Sequence, residues 1–292
     1  MKSKLVPIID ADSIIYRCGF ASDGNKDADG NPEPLSYCLH SVKESITRIL
    51  DVFEPSERTR ILLQGGGNYR DRVATILPYK GNRDPSKRPV YYDEMREYLI
   101  EYFGAELITG METDDACGIE QWANKDRSTC IVSIDKDLDM IPGWHYDYVN
   151  LEMYYVDLAT ANRTFWLQVL TGDDTDNILG CGIRKEGVYK SGKKKGQTRF
   201  RREGVGPKEA ESYVKLGDSW VDQFNAVRKQ FDKHFGANGE AAFHENATLI
   251  WMQREHMINY DGSKIEFGTE SYEEDYEESV PIEGADEDTT LA

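Results

Sequence analysis

Acidic residues gather four times along the chain in short clusters: Asp10-Ala-Asp12, Glu112-Thr-Asp114-Asp115, Asp135-Lys-Asp137-Leu-Asp139 and Gly172-Asp173-Asp174-Thr-Asp176-Asn177. Carboxylates two residues apart, such as Asp135 and Asp137, point to the same side of an extended chain. Three apart, such as Asp173 and Asp176, they share a face of a helical turn. So many carboxylates in one place repel each other unless cations neutralise them. Two divalent ions about 4 Å apart would do so, and would also activate a water and stabilise the leaving oxygen of a phosphodiester. Ligands that are all oxygen suit magnesium, manganese or calcium. The histidines (His40, His145, His234, His244, His256) show no metal-ligand spacing. The cysteines (Cys18, Cys38, Cys117, Cys130, Cys181) are odd in number and include no Cys-x-x-Cys pair, so they read as reduced, mostly buried thiols.

Near-matches to other motifs fail in detail. Asp135-x-Asp137-x-Asp139 starts like a calcium-binding EF-hand loop, but its sixth position is Met140 and its twelfth Tyr146, where glycine and glutamate are needed. Gly187-x4-Gly192-Lys193 starts like a phosphate-binding P-loop, but Lys194 follows in place of Ser or Thr. A more serious rival is the haloacid-dehalogenase type of phosphatase, suggested by Asp10-Ala-Asp12 after an apolar strand and by Gly172-Asp-x-x-Asp176. It leaves Glu112-x-Asp114-Asp115 and the basic segments without a purpose, and Ile14 stands where that motif prefers Thr or Val.

The opposite charge is also concentrated. Nine basic residues lie between Arg184 and Arg202, among them Lys193, Lys194 and Lys195, against one acid, Glu186. A second group runs through Arg70, Arg72, Lys80, Arg83, Lys87 and Arg88, interleaved with Tyr69, Tyr79, Tyr91 and Tyr92. Clustered Lys and Arg with aromatics is the footprint of a nucleic-acid backbone partner. The net charge of −18 hides this pattern, because residues 266–292 hold 11 acids and no base, and without them 42 acids face 35 basic residues. That tail has few apolar groups and is expected to be disordered. It serves solubility, or it competes with nucleic acid for the basic groove or binds a partner.

The clusters need a frame to bring them together. Leu5–Ile9 reads as a buried strand ending at Asp10, Arg60–Gln64 as a second stopped by Gly65-Gly66-Gly67, Glu106–Thr109 as a third, Thr129–Ile134 as a fourth and Tyr146–Asn150 as a fifth. Helical spacing covers Ser41–Phe53, Asp93–Phe103 and a stretch from Thr113, and after Leu170 the chain reads as helical around the basic segment, with Trp220–Phe235 and Ala241–Met257 as late amphipathic helices. Strands alternating with helices imply an α/β fold whose sheet is mostly parallel and covered on both faces. In such sheets ligands gather at the carboxyl ends of the strands, where the acids stand. No run of about 18 apolar residues exists, so no membrane span is expected, and no signal peptide is read at the N-terminus.

Five segments together resemble one family. They are Pro78-Tyr-Lys-Gly-Asn-Arg83, Glu112-Thr-Asp-Asp-Ala-Cys-Gly118, Ser133-Ile-Asp-Lys-Asp-Leu-Asp-Met-Ile-Pro-Gly143, Thr171-Gly-Asp-Asp-Thr-Asp-Asn-Ile-Leu-Gly180 and Gly204-Val-Gly-Pro-Lys-Glu-Ala210. In order and spacing they look like the bacteriophage and bacterial 5′-nucleases, the flap endonucleases and 5′→3′ exonucleases related to the polymerase I 5′-nuclease domain. The likeness covers about residues 5–260, and the basic insert resembles most the exonucleases of short-genome phages. It implies a PIN-like 5′-nuclease fold with a central twisted sheet, a helical arch over about 69–103 and a helix–two-turn–helix over about 172–216 carrying the basic insert 184–203. The nuclease domain would be 1–265, followed by the acidic tail 266–292.

The resemblance also implies roles. Asp10, Glu112, Asp114 and Asp115 would hold one metal ion, and Asp135, Asp137, Asp173 and Asp176 a second, with Mg2+ or Mn2+ as cofactor. Lys80 and Arg83 would steer the scissile phosphate, making them catalytic with Asp10, Asp114 and Asp135. Tyr79 would stack on an unpaired base. Arg70, Arg72, Lys193, Lys194, Lys195, Gly204, Gly206 and Lys208 would contact DNA, the 204–210 turn also binding K+. The implied activity is metal-dependent hydrolysis of DNA from 5′ ends or flaps, extending to RNA–DNA hybrids, in phage replication within the cytoplasm of the infected host. One position departs from the pattern: Gly65 stands where the family has an aspartate, and Asp12, Asp71 or a water would have to substitute. That departure keeps a second reading open, a pseudonuclease that binds DNA without cutting it.

Overall fold

Val6–Asp10 (β1) and Thr129–Val132 (β4) are buried along their whole length, which fits their lack of polar alternation. The structure, a computed structural model, describes residues 2–265 except 27–29, 32, 85–86, 125–127 and 194, and the side chains of 199–201 are also not described. The expectations for Lys194 and for the tail 266–292 therefore lie outside the described residues.

Along the chain the elements are β1; α1, Asp12–Gly24; α2, Leu35–Val52; β2, Arg60–Gln64; α3, Arg70–Val73; α4, Tyr92–Phe103; β3, Glu106–Ile108; α5, Thr113–Ala123; β4; a 3₁₀ turn, Lys136–Met140; β5, Gly143–Asp147; β6, Glu152–Val156; and α6, Leu158–Thr171. They continue with β7, Gly182–Val188; β8, Thr198–Gly204; α7, Pro207–Tyr213; α8, Trp220–Phe235; a second 3₁₀ turn, Gly236–Asn238; and α9, Gly239–Ile250. The main sheet has the order β3-β2-β1-β4-β5-β6, parallel from β3 to β5, with β6 antiparallel at the edge.

Alternate residues of the central strands enter two separate cores, as the period of two requires. Ile8, Leu62 and Ile131 pack with Phe165, Trp166 and Phe243 of α6 and α9. Ile9, Ile61, Leu63 and Val132 pack with Ile14, Val42, Ile46, Met95 and Leu99 of α1, α2 and α4. All five cysteines are buried thiols. Among the described residues no helix is long and apolar enough to cross a membrane.

Several elements differ from the sequence reading. The fifth strand is Gly143–Asp147, because the chain turns back at 148–151 to form β6, which the sequence reading does not contain. Nor does it contain α1, whose inward face is Ile14, Ile15 and Cys18. The basic segment, expected to interrupt the helical run and given no element of its own, is an antiparallel hairpin, β7–β8. Lysines on an exposed two-stranded edge are a common guard against strand pairing with other chains. Residues 69–103 hold the four-residue α3, described turns that form no further helix or strand, and the 12-residue α4, which meets the helix expected over Asp93–Phe103. The last helix stops at Ile250 rather than Met257, because side chains from elsewhere take the backbone groups that follow.

Candidate active site

Strand order reverses between β1 and β4, which opens a crevice at their carboxyl ends. Asp10 closes β1 and Asp135 follows β4, so both enter that crevice. Ser133 links them: its Oγ donates to Asp10 Oδ2 (2.8 Å) and accepts from the Asp135 amide (3.1 Å). Asp135 caps the 3₁₀ turn by accepting from Asp137 N (2.9 Å). Glu112 and Asp115 form a capping box at the start of α5 and thereby fix Asp114 between them. The loop after α6 brings Asp173 and Asp176, closed by reciprocal backbone bonds between Asp173 and Ile178 (2.8 and 2.7 Å). The result is a cleft of about 1000 Å³ lined by Asp10, Asp12, Glu112, Asp114, Asp135, Asp137, Asp173 and Asp176. Of the eight carboxylates expected to ligate metal, only Asp115 does not line it.

The cleft is electrostatically unfinished. Burial, with Asp12 and Asp135 nearby, pushes Asp10 up to about 7. Burial, then Asp135 and Asp173, does the same to Asp137. Asp114 is raised well above the carboxylate range by burial and by the charges of Asp10, Asp135 and Glu112. Each charge makes its neighbours costlier. A hard cation with oxygen ligands fits this donor set. Among the described residues no three acid, histidine or cysteine side chains converge as a closed ligand set; the carboxylates stand around the cleft instead.

On one wall the protein supplies its own cations. Lys80 Nζ pairs with Glu112 Oε1, and Arg83 Nη2 lies 2.5 Å from Asp176 Oδ1. Burial alone would raise Glu112, but Arg70 and Lys80 outweigh it and hold Glu112 below its ordinary value. Asp176 remains raised, burial exceeding the pull of Lys80. Tyr79 is 8% exposed. Its hydroxyl lies 2.9 Å from Glu112 Oε2 and 2.7 Å from Asp176 Oδ2, its one proton shared between the two acceptors. The expected stacking of Tyr79 on a base is therefore corrected: its ring lies in the core and its hydroxyl bridges two acids.

Arg70 and Asp115, expected at the DNA and at a metal ion, are instead buried against each other. Arg70 is 2% exposed and Asp115 fully buried. The guanidinium grips Asp115 at 2.5 and 3.0 Å and also donates to Leu249 O (2.9 Å) and Trp251 O (2.5 Å). Asp115 further accepts from Gln253 N (2.9 Å) and Glu112 N (3.2 Å). With its oxygens committed to an arginine and two amides, Asp115 is an anchor rather than a ligand, and the Arg70 guanidinium is committed to partners inside the fold rather than exposed.

Gly65 lies at the end of β2, where a Cβ would come within 2.5 Å of Ile108 O. A carboxylate cannot be hung there without moving β3. Asp12, a candidate substitute, is occupied: it accepts from Gln64 N (2.6 Å), Thr113 Oγ1 (3.1 Å) and Arg96 Nη1 (3.4 Å). Asp71 lines the cleft from its exposed rim.

The remaining expected contacts lie on the surface: Arg72 is exposed on α3, Lys193 and Lys195 at the hairpin tip, and Lys208 on α7. Gly204 and Gly206 form the turn entering α7, with Val205 N donating to Cys181 O (3.0 Å). Within the basic segment, Lys185 pairs with Glu203 (2.8 Å), and Arg202 donates to Leu179 O (3.2 Å) and Val205 O (2.7 Å). The Lys185–Glu203 pair is exposed and crosses the two strands, while Arg202, half-buried, ties the root of the hairpin to the segments beside it.

The polar residues that tie the site together, Ser133, Gln64, Thr113, Arg96, Asn177, Gln253 and Arg254, escape the sequence reading. Ser133 shares strand parity with Asp135, and Thr113 and Asn177 stand inside the acidic clusters, but their partners are distant in sequence. Arg254 stands 8% exposed, donates to Met140 O (2.8 Å) at the end of the 3₁₀ turn and stacks on Trp251.

The chain is 33% identical over 228 residues to the exodeoxyribonuclease of Enterobacteria phage T3, covering 67% of this chain and 74% of that protein. No family model matches it. Among solved structures it is similar to a flap endonuclease of bacteriophage T5, crystallised as a pseudo-enzyme–product complex with DNA and metal ions. The TM-score is 0.54 and the identity 18%, over 84% of this chain and 88% of the other. A mutant of the 5′-exonuclease of bacteriophage T5 gives a TM-score of 0.50 at 15% identity, over 85% and 88%. At these identities the structural likeness is one of fold.

Proposed function

The chain belongs to the phage 5′-nuclease family, and from that we infer that it is a divalent-metal-dependent 5′→3′ nuclease that hydrolyses DNA phosphodiesters from 5′ ends or flaps. The observation that carries this reading is the crowding of carboxylates at one switch point, several of them raised by burial and mutual repulsion. Asp10, Glu112, Asp114, Asp135, Asp137, Asp173 and Asp176 would hold the ions, which we take to be two Mg2+ or Mn2+. When bound, such ions lower the pKa of a water and neutralise charge on the leaving oxygen.

The chain's own residues do the rest. Ser133 orients Asp10 by donating to it. Tyr79 holds Glu112 and Asp176 to one wall of the cleft, its hydroxyl lying within hydrogen-bond distance of both. Lys80 and Arg83, on the same wall, are the cations placed to meet a phosphate and to stabilise its added charge in the transition state. Arg72, Lys193, Lys194, Lys195 and Lys208 would track the duplex backbone, and the turn at Gly204 and Gly206 would offer amides to a phosphate and carbonyls to K+. Residues 1–265 form the nuclease domain in this reading. RNA–DNA hybrids as substrate, a replication partner for the tail and action in the infected cell's cytoplasm are parts of the same proposal.

The test is cleavage of a duplex labelled at its 5′ or 3′ end, with and without Mg2+. Metal-dependent release of short 5′-labelled products is expected, and lost when Asp135 and Asp137 are both changed to Ala. Binding without cleavage would mean a pseudonuclease, the consequence to look for at Gly65. Release of phosphate from small esters, without action on DNA, would revive a phosphatase.

A further inference from the structure

Two loops meet on the basic wall of the cleft, and one side chain outside the acid clusters joins them. The loop 78–83 brings Tyr79, Lys80 and Arg83; the loop 173–178 brings Asp173 and Asp176. They are laced by Lys80 N to Asp176 O (2.9 Å) and Asn82 Nδ2 to Asp174 O (2.6 Å). At their junction stands Asn177, 8% exposed. Its Nδ2 donates to Pro78 O (2.8 Å), and its Oδ1 accepts from Arg184 Nη2 (3.1 Å) at the root of the basic hairpin. A single amide therefore ties three segments: the loop with the cationic residues, the loop with two carboxylates, and the first strand of β7–β8.

The backbone points the same way. Lys80 (φ 52°) and Asn177 (φ 63°) are left-handed, two of only four such non-glycine residues among those described. Asn tolerates this region better than other side chains, and Lys does so at a cost. Unfavourable backbone persists only where surrounding contacts over-determine it, and here those contacts lace one loop to the other. If the only need were a left-handed turn, glycine would serve at 177 with less strain. The two side-chain bonds are what glycine cannot supply.

We propose that Asn177 is a positioning residue for the nuclease reaction: it latches loop 78–83 to loop 173–178, and so sets where Lys80 and Arg83 stand relative to Glu112 and Asp176. The inference rests on the nuclease reading for its effect on rate, but not for its effect on the loop. Through Arg184 the same latch fixes the root of the basic hairpin to the cleft.

The experiment compares the full chain with Asn177→Gly and Asn177→Asp. Gly keeps the backbone and removes both bonds. Asp keeps an acceptor for Arg184 and sets an oxygen against Pro78 O. The first readout is trypsin cleavage after Lys80 and Arg83 in the folded protein without metal. Both variants are expected to be cut about tenfold faster than wild type or more, because the released loop opens locally. The second is steady-state cleavage of 5′-labelled duplex in Mg2+. In both variants kcat is expected to fall at least about tenfold, with KM for DNA within about threefold, as misplacement of charged groups by an ångström suffices for such a loss.

Wild-type proteolysis and wild-type kcat in Asn177→Gly would overturn the latch and leave a plain turn residue. A change in KM alone would overturn the positioning role. Accelerated proteolysis in a chain whose wild type does not cleave DNA would uphold the latch on the loop and refute the nuclease reading instead.

Discussion

Replacing Arg70 with Met distinguishes an interior strut from a DNA contact. The guanidinium is buried with Asp115 and satisfies the carbonyls of Leu249, in the last turn of α9, and Trp251, just after it. Removing it strands a fully buried carboxylate, and breaking a buried pair from one side costs about 3–5 kcal/mol. Leu249 O and Trp251 O lose their donor at the same time, a cost that overlaps with the first rather than adding fully. At about 2–4 °C per kcal/mol for a chain of this size, the melting midpoint falls by roughly 6–20 °C. Arg70→Met with Asp115→Leu recovers part of that, since paired apolar replacements avoid the stranded charge. The assay is thermal unfolding by circular dichroism, together with DNA affinity against salt well below the midpoint. The salt slope is expected to stay at the wild-type value, because Arg70 neutralises no phosphate. A slope smaller by about 0.9, with an unchanged melting midpoint, would refute the buried-strut reading and return Arg70 to the DNA surface.

The remaining predictions concern the cleft. Asp10 and Asp137 titrate at about 7 in the folded chain, above the unfolded carboxylate value near 4, so the folded chain binds more protons between those values. Stability held fully below about pH 4 is thus lost as pH rises through about 7. The melting midpoint in excess chelator should fall from about pH 5 to 8, and Mg2+ should raise it more at the upper end; a midpoint that rises across this window would sink the reasoning. Gly65→Asp should destabilise by about 1–3 kcal/mol, as overpacking does. Calorimetry should show no tighter Mg2+ binding, because the new Cβ meets Ile108 O at 2.5 Å; tighter binding with an unchanged melting midpoint would refute that clash.

The sequence made the acidic clusters legible because their chemistry dictates residue type, and β1, β2 and β4 because burial on both faces leaves continuous apolar runs. It misled wherever a residue's role depends on a distant partner. Tyr79 and Arg70 look like nucleic-acid contacts in a basic, aromatic stretch, yet Asp176 and Asp115, far along the chain, draw them inside. Asp115 sits in the same cluster as Glu112 and Asp114 and differs only in which way helix α5 turns it. The hairpin β7–β8 was hidden because lysine and arginine carry no apolar period. The segment after Ile250 keeps helical spacing, but Asp115 claims the amide of Gln253 and Arg70 the carbonyl of Trp251.

A run of charge in a sequence shows that a counter-charge is needed, not who provides it, and the fold divides that demand. Arg70 answers Asp115, Lys80 answers Glu112, and Arg83 answers Asp176. Among the described residues no lysine or arginine pairs with Asp10, Asp114, Asp135 or Asp137, and Asp10, Asp114 and Asp137 are the ones that burial and repulsion raise furthest. The folded chain has therefore spent its own cations on one wall and left the other wall for charge from outside. A divalent ion should accordingly bind first against Asp10, Asp114 and Asp135, and only then compete with Lys80 and Arg83 for Glu112 and Asp176.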